Sequence, residues 1–178
     1  MRFKSAACLL VLAALSGQAS AQWREWDAEF DEEKKGWKEI QAQIPVYPKA
    51  GSLVLVKTGS ATSHRFYVDT SSISVGEDQV VRFTVVTKTS GGATNVTFEG
   101  MRCETRERKL YALGHADGTW VRARNTDWQR VVLRDLTPYH HTLYTQYFCL
   151  ERTRPTPVRI AIDALKQGRG LNPGSTTE

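Results

Sequence analysis

Cysteine is scarce in this sequence, which has only three in 178 residues. With so few, a disulfide can supplement a hydrophobic core but cannot replace it. Long apolar runs are also missing. The stretch Ala6–Leu15 is shorter than the roughly 20 residues that span a bilayer, and charged residues interrupt every later apolar run. We therefore expect one domain with a packed core and no transmembrane segment in the mature chain.

Signatures of catalysis are missing as well. There is no Gly-x-Ser-x-Gly elbow for a nucleophilic serine, and Gly91-Gly92 lacks the Lys-Ser/Thr ending of a phosphate loop. His140 and His141 are adjacent, so on a helix they point about 100° apart and do not easily share a metal. We predict no catalytic residue, no metal and no cofactor, with a zinc site assembled from distant residues as the open alternative. The histidines are expected to be exposed, and the acidic pair Glu77-Asp78 to lie in a loop or at the surface.

The first 21 residues have the three parts of a cleavable secretory signal. Arg2 and Lys4 form its positive region, Ala6–Leu15 its apolar stretch, and Ala19-Ser20-Ala21 the small residues before the cleavage site. Removing this segment lowers the formal net charge of +5 by two, and a charge this mild does not imply a nucleic-acid partner. We predict an exported protein that begins at residue 22, with Cys8 lost alongside the signal.

The two remaining cysteines, Cys103 and Cys149, are predicted to form a disulfide. An even pair in an exported chain favours that bond. A metal site or a reactive thiol is the alternative. Neither cysteine has a second Cys or His two to four positions away, the spacing that metal sites usually show.

Four segments are indicated by composition: a signal peptide at 1–21, an acidic N-terminal arm and helix at 22–51, a single α+β domain at 52–168 and a flexible tail at 169–178. Within the arm, Trp37, Ile40 and Ile44 recur at helical spacing. They predict a helix over Glu32–Gln43, which Pro45 ends.

From Leu53 the apolar period becomes that of a strand. Strands are predicted at 53–57, 65–69, 80–89, 94–103, 109–115, 119–123 and 128–133. The turns Ser90–Ala93 and Asp117-Gly118 predict two hairpins.

The strand 94–103 changes phase along its length. Val96 and Phe98 alternate correctly, whereas Met101 and Cys103 do not. We predict a bulge at Gly100 that shifts the register by one residue and turns Met101 and Cys103 into the core.

Helical spacing returns after the strands. Helices are predicted at Tyr139–Cys149 and Val158–Gln167, the second capped by Thr156 and ended by Gly168. The order of elements indicates an α+β fold: an antiparallel sheet of about five to seven strands, one N-terminal and two C-terminal helices, and one disulfide. The disulfide would join the helix 139–149 to the central hairpin.

Arginine and aromatic residues alternate between residues 102 and 130. Arginine donates forked hydrogen bonds to phosphate or carboxylate, and aromatic rings stack on sugars or guanidinium planes. One interpretation is a face for an anionic glycan or lipopolysaccharide; the other is that the arginines pair with Glu104, Glu107 and Asp127 while the Trp rings pack inside. The candidate binding residues are Arg102, Arg106, Arg108, Trp120, Arg122, Arg124, Trp128 and Arg130, with Tyr111 among them.

Several stretches together carry a family resemblance. They are Arg65–Gly76, Val80–Thr84, Asn95–Arg108, Leu110–Gly114, Asp117–Trp120 and Tyr144–Cys149. Together they resemble the cryptic neisserial protein-like family of exported proteobacterial proteins, over most of residues 24–168. The resemblance implies a Gram-negative periplasmic setting and supplies no catalytic residue. Residues 65–113 are also similar to the surface-adhesin protein E group, through Val68-Asp-x-Ser-Ser-Ile73 and a strand ending in Cys103, which implies an antiparallel sheet and a binding role.

Three functional hypotheses follow. The leading one is a non-catalytic periplasmic module that binds another component of the cell envelope, either a protein or an anionic glycan or lipopolysaccharide. The second is an envelope hydrolase whose site assembles from distant residues such as His115, Asp117 and His141. The third is a surface adhesin.

Overall fold

The computed structural model describes residues 36–59, 62–132 and 137–172. The predicted signal peptide, most of the acidic arm and the last six residues of the tail lie outside these ranges. The chain divides into two units, Met1–Lys38 and Glu39–Glu178, and the fold described here is that of the second unit. Among the described residues, no helix has both the length and the apolar character that a bilayer crossing requires.

The main element of the second unit is a seven-stranded sheet in which every pair of neighbours is antiparallel. Six strands follow one another in chain order, and the seventh pairs with β5. The strands are β1 Leu53–Val56, β2 Arg65–Val75, β3 Val80–Lys88, β4 Thr94–Arg102, β5 Glu107–Gly114, β6 Trp120–Arg122 and β7 Gln129–Arg130. A 3₁₀ turn at Ala50–Ser52 precedes β1. The prediction of an antiparallel sheet of this size is confirmed.

Both predicted hairpins are present. Thr89 N–H donates to Ala93 O at 2.9 Å between β3 and β4, and His115 N–H donates to Thr119 O at 2.8 Å between β5 and β6. Gly92 and Gly118 both have φ of 85°. Only glycine adopts this backbone conformation at low cost, which explains why these two turns are readable in the sequence.

The C-terminal helices are also present, with one difference in winding. The α-helix α1, Tyr139–Thr142, continues as a π-helix, Leu143–Phe148, which leads into a small hairpin of β8 (Cys149–Leu150) and β9 (Arg154–Pro155). The helix α2 spans Val158–Gln167, as predicted, and Gly168 ends it at φ of 62°. The predicted cap by Thr156 is wrong, because Pro157 holds the cap position and the Thr156 hydroxyl makes no hydrogen bond.

One face of the sheet packs against α1, the π-helix and α2. Apolar side chains from β1 to β4 meet the helices there, and the tilted rings of Phe83 and Phe148 are in contact, with centroids 4.8 Å apart. The Cys103–Cys149 disulfide lies within this core and joins the end of β4 to the end of the π-helix. The predicted bond and the predicted connection are therefore both confirmed.

The other face is covered by an irregular segment, residues 39–49, which we call the strap. Ala42 and Ile44 pack there against Phe98 and Trp120. Tyr47 donates a hydrogen bond from its hydroxyl to His115 O at 2.7 Å. Both faces of the sheet are therefore covered by a hydrophobic core.

The strap corrects the predicted helix at Glu32–Gln43. Residues 37–43 are not helical, and residues 32–35 lie outside the described ranges. The physical reason is that the backbone N–H and C=O of Ile40 bond to Asp78 and Arg82 instead of to the groups of a helical turn. Of the spaced apolar residues, Ile44 packs against the sheet, whereas Ile40 is 42% exposed.

The predicted bulge at Gly100 is also wrong. The register between β3 and β4 runs without a break from Val80↔Arg102 to Lys88↔Thr94. The irregularity lies between β4 and β5, where Tyr111 is the extra residue. Phe98 and Met101 are out of phase because their side chains lie on opposite sides of β4 and belong to different hydrophobic cores. A Cβ at Gly100 would lie 2.6 Å from the Tyr111 hydroxyl, so this position needs glycine to admit the ring.

Candidate functional site

The predicted basic and aromatic residues divide between the two faces of the sheet and its edge. Arg108 pairs in register with Met101, which places it on the helix side. The Arg106 guanidinium lies 5.5 Å from the centre of the Tyr144 ring, also on that side. The eight residues therefore do not share one surface. Arg102, Trp120 and Trp128 lie on the strap side, Arg106 and Arg108 on the helix side, and Arg122, Arg124 and Arg130 are exposed.

On the strap side, Glu39 is the centre of a group of charged and aromatic side chains. Its Oε2 lies 2.6 Å from Lys109 Nζ and accepts a 3.3 Å hydrogen bond from Trp128 Nε1. Lys109 Nζ lies 5.7 Å and 5.6 Å from the ring centres of Tyr111 and Trp128, and the Arg102 guanidinium is 6.0 Å from Trp128. These are cation–π distances. These contacts hold the charged and aromatic side chains of the sheet in place beside the strap.

Arg102 and Trp120 are held by packing and by neighbouring acids. Arg102 lies 3.8 Å from Glu104 and 3.7 Å from Glu107. Trp120 contacts the rings of Tyr47 and Phe98, with centroids 5.4 Å and 6.4 Å apart. For these two residues, the arrangement corresponds to the second interpretation of the sequence, in which arginine pairs with glutamate and the Trp ring packs inside.

A buried ion pair fixes the strap to the sheet. Arg82 Nη2 lies 2.6 Å from Asp78 Oδ2, and both side chains are almost fully buried. The Ile40 N–H donates to Asp78 at 2.9 Å, and Arg82 Nη2 donates to Ile40 O at 2.9 Å. Burial alone would raise the pKa of Asp78, but the hydrogen bonds and charge of Arg82 and the Ile40 N–H hold it below its ordinary value. Asp78 lies in the turn between β2 and β3, one of the two contexts expected for it, but it is buried there and not at the surface.

A cleft of about 320 Å³ opens between the strap and β5–β6. Lys109 and Arg122 place positive charge on its wall, while Glu39 carries the one carboxylate. Burial first, and then the Glu39 carboxylate, raise the pKa of Tyr111 far above its ordinary value, so its phenol stays neutral. The residues lining the cleft are Glu39, Ile40, Gln41, Ala42, Lys109, Tyr111, Arg122, Ala123 and Thr126.

The exposed arginines lie on β6, in the loop that follows it, and on β7. Arg122, Arg124 and Arg130 form no ion pair with any part of the chain that the structure describes. Arg122 also lines the cleft, and Arg124 lies between the lining residues Ala123 and Thr126. This edge of the sheet therefore offers positive charge without a compensating protein carboxylate.

On the helix side, a second buried network connects β4 to α1. Glu99 Oε2 lies 2.6 Å from His140 Nε2, and the Thr137 hydroxyl lies 2.7 Å from His140 Nδ1. The hydroxyls of Tyr139 and Thr97 donate to Glu99 Oε1 at 2.7 Å and 2.6 Å. Burial alone would raise the pKa of Glu99, but the charge and hydrogen bond of His140 and the two hydroxyls lower it to about 2. The carboxylate is ionised, and its partners lie within the core.

The exposure expected for the histidines holds at His64 and His115 and fails at His140, which is 1% exposed. No group of three potential metal ligands occurs within residues 36–59, 62–132 and 137–172.

The hydrolase residues proposed from the sequence are not brought together. His115 follows the last residue of β5, and Asp117 lies in the turn after it. His141 lies instead near Arg106, which precedes the first residue of β5. The eight residues of β5 separate the two ends by about 25 Å at the rise of a strand. Acid–base partners must come within hydrogen-bond reach, so these three residues do not form one site.

Sequence reasoning missed Glu99, His140, Asp78 and Arg82 as buried charges. The separation of 41 residues between Glu99 and His140 leaves no local signal. A signal did exist for the other pair: Arg82 and Thr84 are the only polar residues in the first seven of β3, and Asp78 lies four positions before Arg82 across a turn. If β3 is buried on both faces, Arg82 must be buried too, and it then needs a buried acidic partner such as Asp78.

The fold is an α+β domain with a meander sheet, one disulfide-linked helical layer and one strap. Its sites are a basic cleft and two buried charge networks. The family model of the CNP1-like family matches residues 32–166, and the chain therefore belongs to the CNP1-like family. No curated protein and no solved structure is a significant match to the chain.

Proposed function

We propose that the mature protein is a non-catalytic module of the Gram-negative periplasm that binds an anionic component of the cell envelope at the β6 edge of its sheet. The observation that supports this proposal most directly is the exposure of Arg122, Arg124 and Arg130 along this edge, where Arg122 also lines the cleft. The signal peptide predicted at residues 1–21 and the disulfide support this setting.

The charge balance at the cleft supports an anionic ligand. Lys109 is neutralised by Glu39, whereas Arg122 on the same wall has no such partner among the described residues. Exposed guanidinium groups are only weakly hydrated and donate in pairs to phosphate or carboxylate oxygens. A glycan or lipopolysaccharide with repeated negative charges would meet all three arginines along the edge.

The test is charge reversal at this edge. The variant R122E/R124E/R130E should lose binding to lipopolysaccharide micelles and to cell-envelope fractions, measured by co-sedimentation. Binding by the unaltered protein should weaken as salt concentration rises, because exposed charges are screened.

A matched control exists on the helix side. R159E/K166E/R169E changes the same number of exposed positive charges on and just after α2. It should bind as the unaltered protein does. Equal binding by both triple variants, or equal loss in both, would refute recognition at the β6 edge.

A hydrolase is the second candidate, and one observation favours it: the hydroxyl–imidazole–carboxylate chain of Thr137, His140 and Glu99. Of the three, only Thr137 is partly exposed, so it would be the nucleophile. A fluorophosphonate probe that labels the protein but not its T137V variant would support the hydrolase. Absence of labelling would remove it.

A further inference from the structure

The disulfide joins two turns of the same form. Each turn begins at a cysteine and ends at an arginine three residues later, as Cys103-Glu-Thr-Arg106 and Cys149-Leu-Glu-Arg152. In each, the arginine N–H donates to the cysteine carbonyl, at 3.3 Å and 3.1 Å. The disulfide and the two equivalent hydrogen bonds therefore fix the backbone positions of both arginines relative to each other.

Both arginines have a backbone conformation that disfavours their side chains. Arg106 has φ of 56° and Arg152 has φ of 64°. Glycine or asparagine takes up this left-handed conformation at lower free energy. Strained residues of this kind persist where the surroundings over-determine them and often occur at functional sites. Here the hydrogen bond from Val131 N–H to Arg106 O, at 2.9 Å, adds to the restraint.

The two turns converge on Tyr144. The Arg106 guanidinium lies 5.5 Å from the ring centre of Tyr144. The Tyr144 hydroxyl bonds at 2.6 Å to the carbonyl of Arg152 and at 3.2 Å to that of Cys103. His141 lies one helical turn earlier, and burial together with the two arginine charges lowers its pKa. Tyr144 thus contacts the guanidinium of one turn and the backbone of the other, close to His141.

The positive charges of this cluster have no carboxylate partner. Neither Arg106 nor Arg152 forms an ion pair with residues 36–59, 62–132 or 137–172. The Arg106 Nε is buried without a hydrogen bond. Glu151, the nearest acid in sequence, lies 3.4 Å from Arg154 instead. The charges of the two arginines therefore remain available to an anionic ligand.

We propose that Arg106, Arg152 and His141 form a binding site for a phosphate group, assembled by the Cys103–Cys149 disulfide. A tetrahedral phosphate can accept from several directions at once, which suits donors that arrive from two separate turns and a helix. This site lies on the helix side and does not depend on the proposed function of the β6 edge. The same chemistry could come from a soluble phosphate or from a phosphate-bearing lipid.

The probe for the first source is inorganic phosphate, added to the oxidised mature protein. Nuclear magnetic resonance should show saturable shifts of the His141 ring signals and of the Arg106 Nε signal. R106G/R152G should bind at least about tenfold more weakly, because a hydrogen bond to a charged group accounts for that much affinity. Glycine is compatible with both backbone conformations, so this variant is expected to fold. R106Q/R152Q keeps the aliphatic part of the side chain over Tyr144 and tests the same loss if the glycine variant unfolds.

The probe for the second source is vesicles of phosphatidylcholine with and without phosphatidic acid. Co-sedimentation that requires phosphatidic acid would assign a lipid headgroup; saturable phosphate shifts without co-sedimentation would assign a soluble phosphate. The control variant R122Q/R124Q should keep the His141 shifts, so failure of the β6 edge and failure of this site are separate results. Binding of both probes by R106G/R152G as by the unaltered protein, or no saturable binding of either probe by the unaltered protein, would overturn the proposal.

Discussion

Glu99 on β4 and His140 on α1 meet at 2.6 Å with exposures of 4% and 1%, so a buried carboxylate–imidazole pair lies at the contact between the sheet and the helical layer. Three hydroxyl groups complete the network, from Thr97, Tyr139 and Thr137. A buried pair of this kind stabilises the fold only while both partners are present. Its removal should therefore be visible in the stability of the whole domain.

Replacing Glu99 by Gln should destabilise the protein by about 3–5 kcal/mol, the cost of breaking a buried pair while one partner remains. The measurement is the free energy of unfolding in urea. E104Q is the matched control, because the side chain of Glu104 is 79% exposed and lies 3.8 Å from Arg102. It should change the free energy by less than about 1 kcal/mol. Equal effects of the two variants would contradict the role of the buried pair.

The same carboxylate should make stability depend on acid pH. The pKa of Glu99 is lowered from its ordinary value of 4.5 to about 2 in the folded protein. A group with a depressed folded-state pKa stabilises the fold above its unfolded pKa, and this contribution is lost as pH falls through the folded value. The free energy of unfolding should therefore decrease from pH 4.5 towards pH 2. In E99Q this part of the decrease should be missing, and an unchanged pH profile would refute the assignment.

The Asp78–Arg82 pair should control the attachment of the strap. D78N removes a charge from a buried pair and from the Ile40 N–H, so it should cost about 3–5 kcal/mol. Hydrogen exchange should show faster exchange of the Ile40 amide in this variant. E151Q, which alters an exposed pair with Arg154, should change neither quantity measurably. An Ile40 amide that remains protected in D78N would show that other contacts hold the strap.

Gly100 should not tolerate a side chain. An added Cβ would lie 2.6 Å from the hydroxyl oxygen and 2.7 Å from Cε2 of Tyr111, so G100A must displace this ring from the strap-side core. We expect a loss of about 1–3 kcal/mol, typical of overpacking. G91A is the control, since its nearest neighbour would be 4.0 Å away. Thermal unfolding of the two variants checks the prediction, and equal midpoints would contradict it.

The exported form should begin at residue 22 and contain no free thiol. Intact mass spectrometry after alkylation of the purified periplasmic protein tests both statements at once. We expect the mass of residues 22–178 without any alkyl group, because Cys103 and Cys149 are joined. A retained Cys8 would show that the signal is not removed.

On intact cells, added protease should leave the protein undigested until the outer membrane is broken; earlier digestion would instead support the adhesin hypothesis.

The elements that could be read from the sequence are those with a local cause. The hairpin turns contain glycines whose positive φ is cheap for no other residue, at Gly92 and Gly118. The helix α2 has its apolar spacing and its terminal Gly168 within a dozen residues. The family resemblance supplied no site, and it agrees with the family to which the chain belongs.

The errors have a common origin in the second core. In the strap, Ala42 and Ile44 pack on strand residues whereas Ile40 is 42% exposed, so the helical spacing of Ile40 and Ile44 does not mark one buried face. Val96 and Phe98 face the strap while Met101 and Cys103 face the helices. A strand buried on both faces loses the alternation that reveals its inner side. The structure places the predicted arginines on both sides of the sheet, since alternate residues of β5 point to different cores.

The amino-acid order by itself determined the antiparallel hairpins, the last helix and the pairing of the two mature cysteines, because each depends on short-range backbone preferences or on a count. Only the tertiary structure decided which charges are buried and which turns meet at one tyrosine. Glu99 meets His140 across 41 residues. The turns that hold Arg106 and Arg152 meet at Tyr144 through a disulfide whose cysteines are 46 positions apart. Such contacts form only when the sheet and the helices close on each other, and no local pattern encodes their geometry.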